Sequence, residues 1–110
     1  MIKETISIDG KDITFKMSAA TPRIYRAQFQ SDLLLDLDQP KNFEPYENLA
    51  WVAAGCPGKS VEKWLETFPP TAAQQITELA FAMWNLNRAT IDGAETANED
   101  NSKNAATEEG

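Results

Sequence analysis

Thr21-Pro22-Arg23-Ile24-Tyr25-Arg26-Ala27-Gln28-Phe29-Gln30-Ser31-Asp32-Leu33-Leu34-Leu35-Asp36-Leu37 is the stretch on which the fold turns. By itself it predicts one capped amphipathic helix. Thr21 is placed to cap it, and Pro22 stands at the first helical position, where a missing N–H removes no bond. At about 100° per residue, Tyr25, Phe29, Leu33 and Leu37 share one face, the side that should enter a core. Ile24 and Leu35 fall almost opposite, beside Gln28 and Ser31. Two readings are open for them: they meet a second layer and the helix is sandwiched, or they form an exposed apolar strip for a partner or a second copy. Asp32, Asp36 and Asp38 crowd the far end, where the helix dipole is negative and exposed carboxylates cost about 0.3–1 kcal/mol each. They read as a solvated surface or, alternatively, as a face compensated by a basic partner. A calcium loop does not fit, since Gln39-Pro40 follows without the glycine and distal glutamate such a loop uses.

Working outward, residues 3–17 predict a β-hairpin. Ile6 and Ile8, then Ile13, Phe15 and Met17, alternate with polar residues around Asp9-Gly10, a dipeptide suited to the positive φ angles of a tight turn. A lone hairpin is barely stable in water, so its apolar face must pack on the helices. A second helix is predicted from Phe43 or Pro45 to Ala54, ended by Gly55 and Pro57, and its half Leu49-Ala50-Trp51-Val52-Ala53-Ala54 is apolar all round, the mark of a buried central helix. A short third helix follows Ser60, with Val61, Trp64, Leu65 and Phe68 on one face and Pro69-Pro70 at its end. A fourth starts at Thr71, with Gln74 completing a capping box and Ala72, Ile76, Leu79, Ala80, Met83, Trp84 and Leu86 on a broad apolar face. Phe81 falls outside that arc, either absorbed by the core or exposed as a contact. The expected architecture is α+β: an N-terminal β-hairpin on a bundle of about four helices, with residues 1–88 as one domain and 89–110 as a disordered acidic tail.

The charge supports that division. The chain has 110 residues and a net charge of −7, but residues 1–88 carry 11 acidic and 9 basic side chains, against 6 and 1 in residues 89–110. The body is therefore near neutral, and the polar, non-aromatic tail cannot bury enough apolar area to offset its ordering entropy. No basic patch stands out for phosphate neutralisation, so no nucleic-acid partner is expected. No apolar run is long enough to span a bilayer, and Met1-Ile2-Lys3-Glu4-Thr5 lacks the apolar core of a signal peptide, so no membrane partner is expected either.

The residues of common catalytic sites are sparse. There is no histidine, hence no imidazole base or ligand, and the lone Cys56 excludes a disulfide framework, a Cys-His pair and the usual zinc clusters. Cys56 sits in the turn Gly55-Cys56-Pro57-Gly58 with Lys59 as its one nearby cation, and reads as an ordinary loop thiol. No glycine-rich phosphate loop is present, and carboxylate pairs such as Asp36/Asp38 and Glu62/Glu66 read as solvated surface. Trp51, Trp64 and Trp84 stand on three different helices, where they either converge in one core or form a ligand cage. No cofactor and no catalytic residues are assigned, and the chain reads as a non-enzyme.

Four segments, in order and with short spacers, carry a resemblance over roughly residues 3–91. They are Ile6-x-Ile8-Asp9-Gly10-Lys11-x-Ile13-x-Phe15; Thr21-Pro22-Arg23-x-Tyr25-Arg26-x-x-Phe29-x-x-Asp32-Leu33; Phe43-Glu44-Pro45-Tyr46-Glu47-Asn48-Leu49-Ala50-Trp51-Val52; and Ser60-x-x-x-Trp64-Leu65-x-x-Phe68. This set resembles the small tail assembly chaperones of long-tailed phages and prophages, chiefly those of Gram-positive hosts. The last helix departs from the family's pattern by separating Glu78-Leu79 from Trp84-Asn85-Leu86-Asn87. The resemblance implies a chaperone that binds the tape-measure protein, keeps it soluble and helps recruit tail-tube protein during tail assembly. It also implies action in the host bacterial cytoplasm, absence from the mature virion, and a longer frameshifted form of the same chain; a homo-oligomer is a further possibility. The residues expected to touch a partner are those left over once the core is assigned, Ile24, Leu35 and Phe81. The competing readings are a structural head-tail or tail-completion component and a small regulatory binding protein whose acidic tail mimics nucleic acid.

Overall fold

The computed structural model describes residues 1–99, with side chains to residue 85. Strands β1 (Ile2–Ile8) and β2 (Lys11–Met17) form an antiparallel hairpin in which Ile6 faces Ile13 and Ile8 faces Lys11. The turn residues Asp9 and Gly10 both have positive φ, 54° and 79°, which matches the right-handed twist of the strands and explains the Asp-Gly pair. Ile8, Phe15 and Met17 are buried on the inner face, while the outer face carries a Thr5–Thr14 hydroxyl contact of 2.9 Å.

The decisive stretch is not one helix. It forms α1 (Thr21–Phe29) and α2 (Leu33–Asp38), separated by Gln30 in the left-handed region and by Asp32 in extended backbone. The apolar stripe still faces inward on both pieces: Tyr25, Leu33 and Leu37 are buried and Phe29 packs against the core. The break has a chemical cause. Asp32 Oδ1 accepts from the Leu34 N–H at 2.9 Å and caps α2, so this carboxylate sits at a positive helix end rather than a negative one. Asp36 is held too: Tyr25 Oη donates to Oδ2 at 2.8 Å, and Ser31 Oγ lies 2.7 and 2.9 Å from its two oxygens. In an unbroken helix Tyr25 and Asp36 would be about 16 Å apart along the axis. The break is what lets them meet.

Thr21 does not cap α1 either. Ala20 holds that position without a side-chain bond, and Thr21 turns inward, buried, to accept from the Ser18 N–H at 2.8 Å.

Helix α3 (Glu44–Ala53) is the central element, packing on α1, α2, β2, α4 (Val61–Leu65) and α5 (Thr71–Glu99). Its buried run Leu49–Ala53 confirms the all-round apolar reading. Gly55, at φ 94°, ends it, and the Trp51 indole N–H donates to the Pro57 carbonyl at 2.8 Å, tying the following turn to the core. Ser60 caps α4 through the Lys63 N–H, 3.2 Å away. The capping box expected on α5 is not formed: Thr71 is already helical, the Pro69 and Pro70 carbonyls accept the first N–H groups, and Gln74 turns to Glu78 at 2.8 Å.

Trp51, Trp64 and Trp84 all lie in one core with Phe15, Tyr25, Leu49 and Ile76. Phe15 and Phe68 pack edge-on against Trp64, and Phe29 against Trp51. The arrangement is α+β as expected, with five helices because the first is split. Helix α5 runs to Glu99, beyond the expected end of the pattern at Ala89. A nucleated helix gains one bond per added residue, and no proline interrupts residues 89–99. The rest of the expected tail, 100–110, lies outside the described residues, as does the side chain of Leu86.

Candidate functional site

The surface with the most concentrated unused chemistry lies between α3 and α5. Asn42 Oδ1 accepts from the Glu44 N–H at 2.8 Å and Pro45 opens the first turn, which leaves Phe43 projecting at the helix start with 69% of its surface exposed. Tyr46, one turn on, is buried. Its ring meets Phe81 of α5 at 5.4 Å between centroids and 61° between planes, an edge-to-face pair. Phe81 remains 52% exposed.

These three rings, with Thr77 and Glu78, line a cleft of about 240 Å³. It adjoins a second of about 410 Å³ that shares Phe43, Thr77 and Glu78 and adds Glu47, Ala73 and Gln74. On the other side of α3, Glu44 and Glu47 line a third groove, with Val61, Leu65, Glu62 and Glu66 across it on α4 and its end. Burial, and then the neighbouring Glu44 carboxylate, hold the Glu47 carboxyl above its ordinary pKa. The ion pair recorded among the described residues, Lys63 with Glu66 at 3.9 Å, leaves Glu44, Glu47 and Glu78 without a cation.

The sequence-predicted contacts separate in space. Ile24 on α1 is 42% exposed and Leu35 on α2 is 72% exposed, so neither is sandwiched against the hairpin. Leu35 borders a polar depression of about 300 Å³ beside Tyr25 and Asp36. That site is already occupied by its own bonds, with the Tyr25 hydroxyl pushed up to about 12 by burial and by its bond to Asp36. Phe81 alone of the three reaches the aromatic cleft. The sequence reading missed Phe43 and Tyr46. Their spacing of three across a helix start is visible in Phe43-Glu44-Pro45-Tyr46, but only α5 shows which side they cover.

Cys56 is half-buried at φ 55°, and burial raises its thiol pKa, away from a reactive thiolate. Among the described residues no group of three His, Cys, Asp or Glu side chains is placed to hold a metal, and no helix is long and apolar enough to cross a membrane. Comparison of the chain with known protein families, curated proteins and solved structures found no match.

Proposed function

We propose that the chain is a phage tail assembly chaperone that binds tape-measure protein, keeps it soluble and helps recruit tail-tube protein. The observation that carries the reading is apolar surface in excess of what the fold needs. A full core is already closed by the hairpin and five helices, yet Ile24, Leu34, Leu35, Phe43 and Phe81 remain in water. Such surface on a small body suits a protein that covers another chain's apolar stripe. The reading of tape-measure protein as that client rests on the resemblance of the four ordered motifs between Ile6 and Phe68 to the chaperone family.

On this reading the chain works in the host bacterial cytoplasm and leaves before the virion is complete. It acts by binding, with no cofactor and no catalytic residue. Co-expression with the tape-measure protein of the same genome neighbourhood tests it, with the longer frameshifted form added in a parallel culture. A tape-measure protein that becomes soluble and co-purifies is the expected result. One that stays insoluble with both forms overturns the proposal. Recovery of the chain in purified particles, in amounts matching tail proteins, would make it a structural component instead.

A further inference from the structure

We propose that the cleft between α3 and α5 receives a cationic amphipathic helix, whose apolar side chain seats between Phe43 and Phe81 while Lys or Arg neighbours meet Glu47 and Glu78. The chemistry comes from the cleft itself, and the proposal rests on the chaperone reading only for naming the bound helix as client.

The shape favours a helix. Along α5 the lining residues Ala73, Gln74, Thr77, Glu78 and Phe81 follow one face for about 12 Å, slightly more than two turns. Ala73 and Thr77 are small, which allows close approach of a third helix to the α3–α5 pair. The walls are helical, with backbone groups already paired within α3 and α5, so an extended strand would find no ladder to join. A helix satisfies its own backbone and needs only side-chain pockets.

The charge selects the partner's sign. Glu44, Glu47 and Glu78 rim the cleft and its neighbouring groove, and among the described residues no Lys or Arg lines either, Lys41 lying along a separate depression that Glu44 also borders. Glu78 is met by the neutral Gln74 amide, and ionised Glu47 is disfavoured by burial and by Glu44, an arrangement that an incoming cation relieves. A second copy docking through the same face would set carboxylate against carboxylate. Residues 100–110 carry Asp100, Glu108 and Glu109 against Lys103, the wrong net sign for this site.

The test titrates the full chain with a fluorescent helical peptide of Leu and Lys in amphipathic order. The comparison peptides have the same pattern in Leu and Glu, and the Leu/Lys composition in scrambled order. Binding is expected for the ordered Leu/Lys peptide alone, weakening as salt is raised. Phe81→Ser should reduce its affinity by about tenfold or more. Glu47→Gln with Glu78→Gln, which leaves the apolar walls intact, should also reduce it and flatten the salt dependence. Asp9→Asn with Asp12→Asn removes equal charge from the hairpin and should change little. Equal binding of ordered and scrambled peptides, or equal loss in the two double variants, overturns the proposal in favour of general attraction to an acidic protein. If tape-measure protein co-purifies undiminished with the Phe81 and Glu47/Glu78 variants, the chaperone reading stands and the cleft assignment falls. If the peptide binds as described but no tape-measure protein is captured by either form, the cleft stands and the chaperone reading falls.

Discussion

Two regions of this protein leave large apolar side chains in water, and they do so in opposite chemical settings. At the α1–α2 corner, Leu34 and Leu35 ride on a six-residue helix beside two engaged carboxylates: Asp32 caps it, and Asp36 holds the Tyr25 and Ser31 hydroxyls. Between α3 and α5, Phe43 and Phe81 flank a cleft whose carboxylates have no cation among the described residues. Isolated exposed leucines are ordinary on protein surfaces. Aromatic walls beside unspent charge are a stronger sign of a partner, because both terms improve when something binds.

Substitutions put this contrast to the test. The largest effect is expected in the core that both regions share. Trp51→Ala should destabilise by about 3–5 kcal/mol in urea unfolding, through lost packing against Phe29 and loss of the bond to Pro57. A cost under about 1 kcal/mol would mean that the central helix is not close-packed.

At the corner, Tyr25→Phe should cost about 1–2 kcal/mol, since it removes a bond to a carboxylate. It also carries a pH signature. The Tyr25 pKa is raised in the fold from the ordinary 10 to about 12, so its contribution is present below pH 10 and lost as pH rises from 10 through 12. The variant should lose less stability than the parent across that window. Parallel losses in parent and variant would show that Asp36 does not hold the hydroxyl.

In the cleft, Phe81→Ser should leave stability within about 1 kcal/mol yet sharply reduce recovery of tape-measure protein. Glu47→Gln should raise the thermal midpoint slightly at pH 7. The raised Glu47 pKa means that ionisation works against the fold, so the gain should vanish below the ordinary carboxylate value of 4.5. A lower midpoint at pH 7 would reveal a cationic partner for Glu47 inside the protein. The smallest effect is expected from Leu35→Ser, with stability within about 0.5 kcal/mol and a smaller loss of client than Phe81→Ser causes. The reverse order would move the docking surface to α2.

The candidate site was half legible in the sequence. Phe81 stood out because its angular position disagreed with the apolar arc of its helix, a local test that needs no tertiary information. Ile24 and Leu35 were grouped by the same test applied to a helix that turned out to be two. Once Gln30 adopts φ 52° the angular count restarts, and residues on either side no longer share a face. Phe43 and Tyr46 could not be distinguished from core residues, since their role depends on Phe81, thirty-five positions beyond Tyr46.

The locally encoded features are the Asp9-Gly10 turn, the all-round apolar α3 with its Gly55 stop, and the Ser60 cap. Each follows from backbone sterics or from periodicity within a few residues. The tertiary structure decided where polar side chains spend their bonds. Thr21, Ser31, Asp32 and Asp36 each have several partners within reach in an unfolded chain, and only packing selects among them. That selection broke one predicted helix into two, gave Asp32 and Asp36 partners inside the fold, and left the carboxylates around Phe43 and Phe81 without a cation among the described residues.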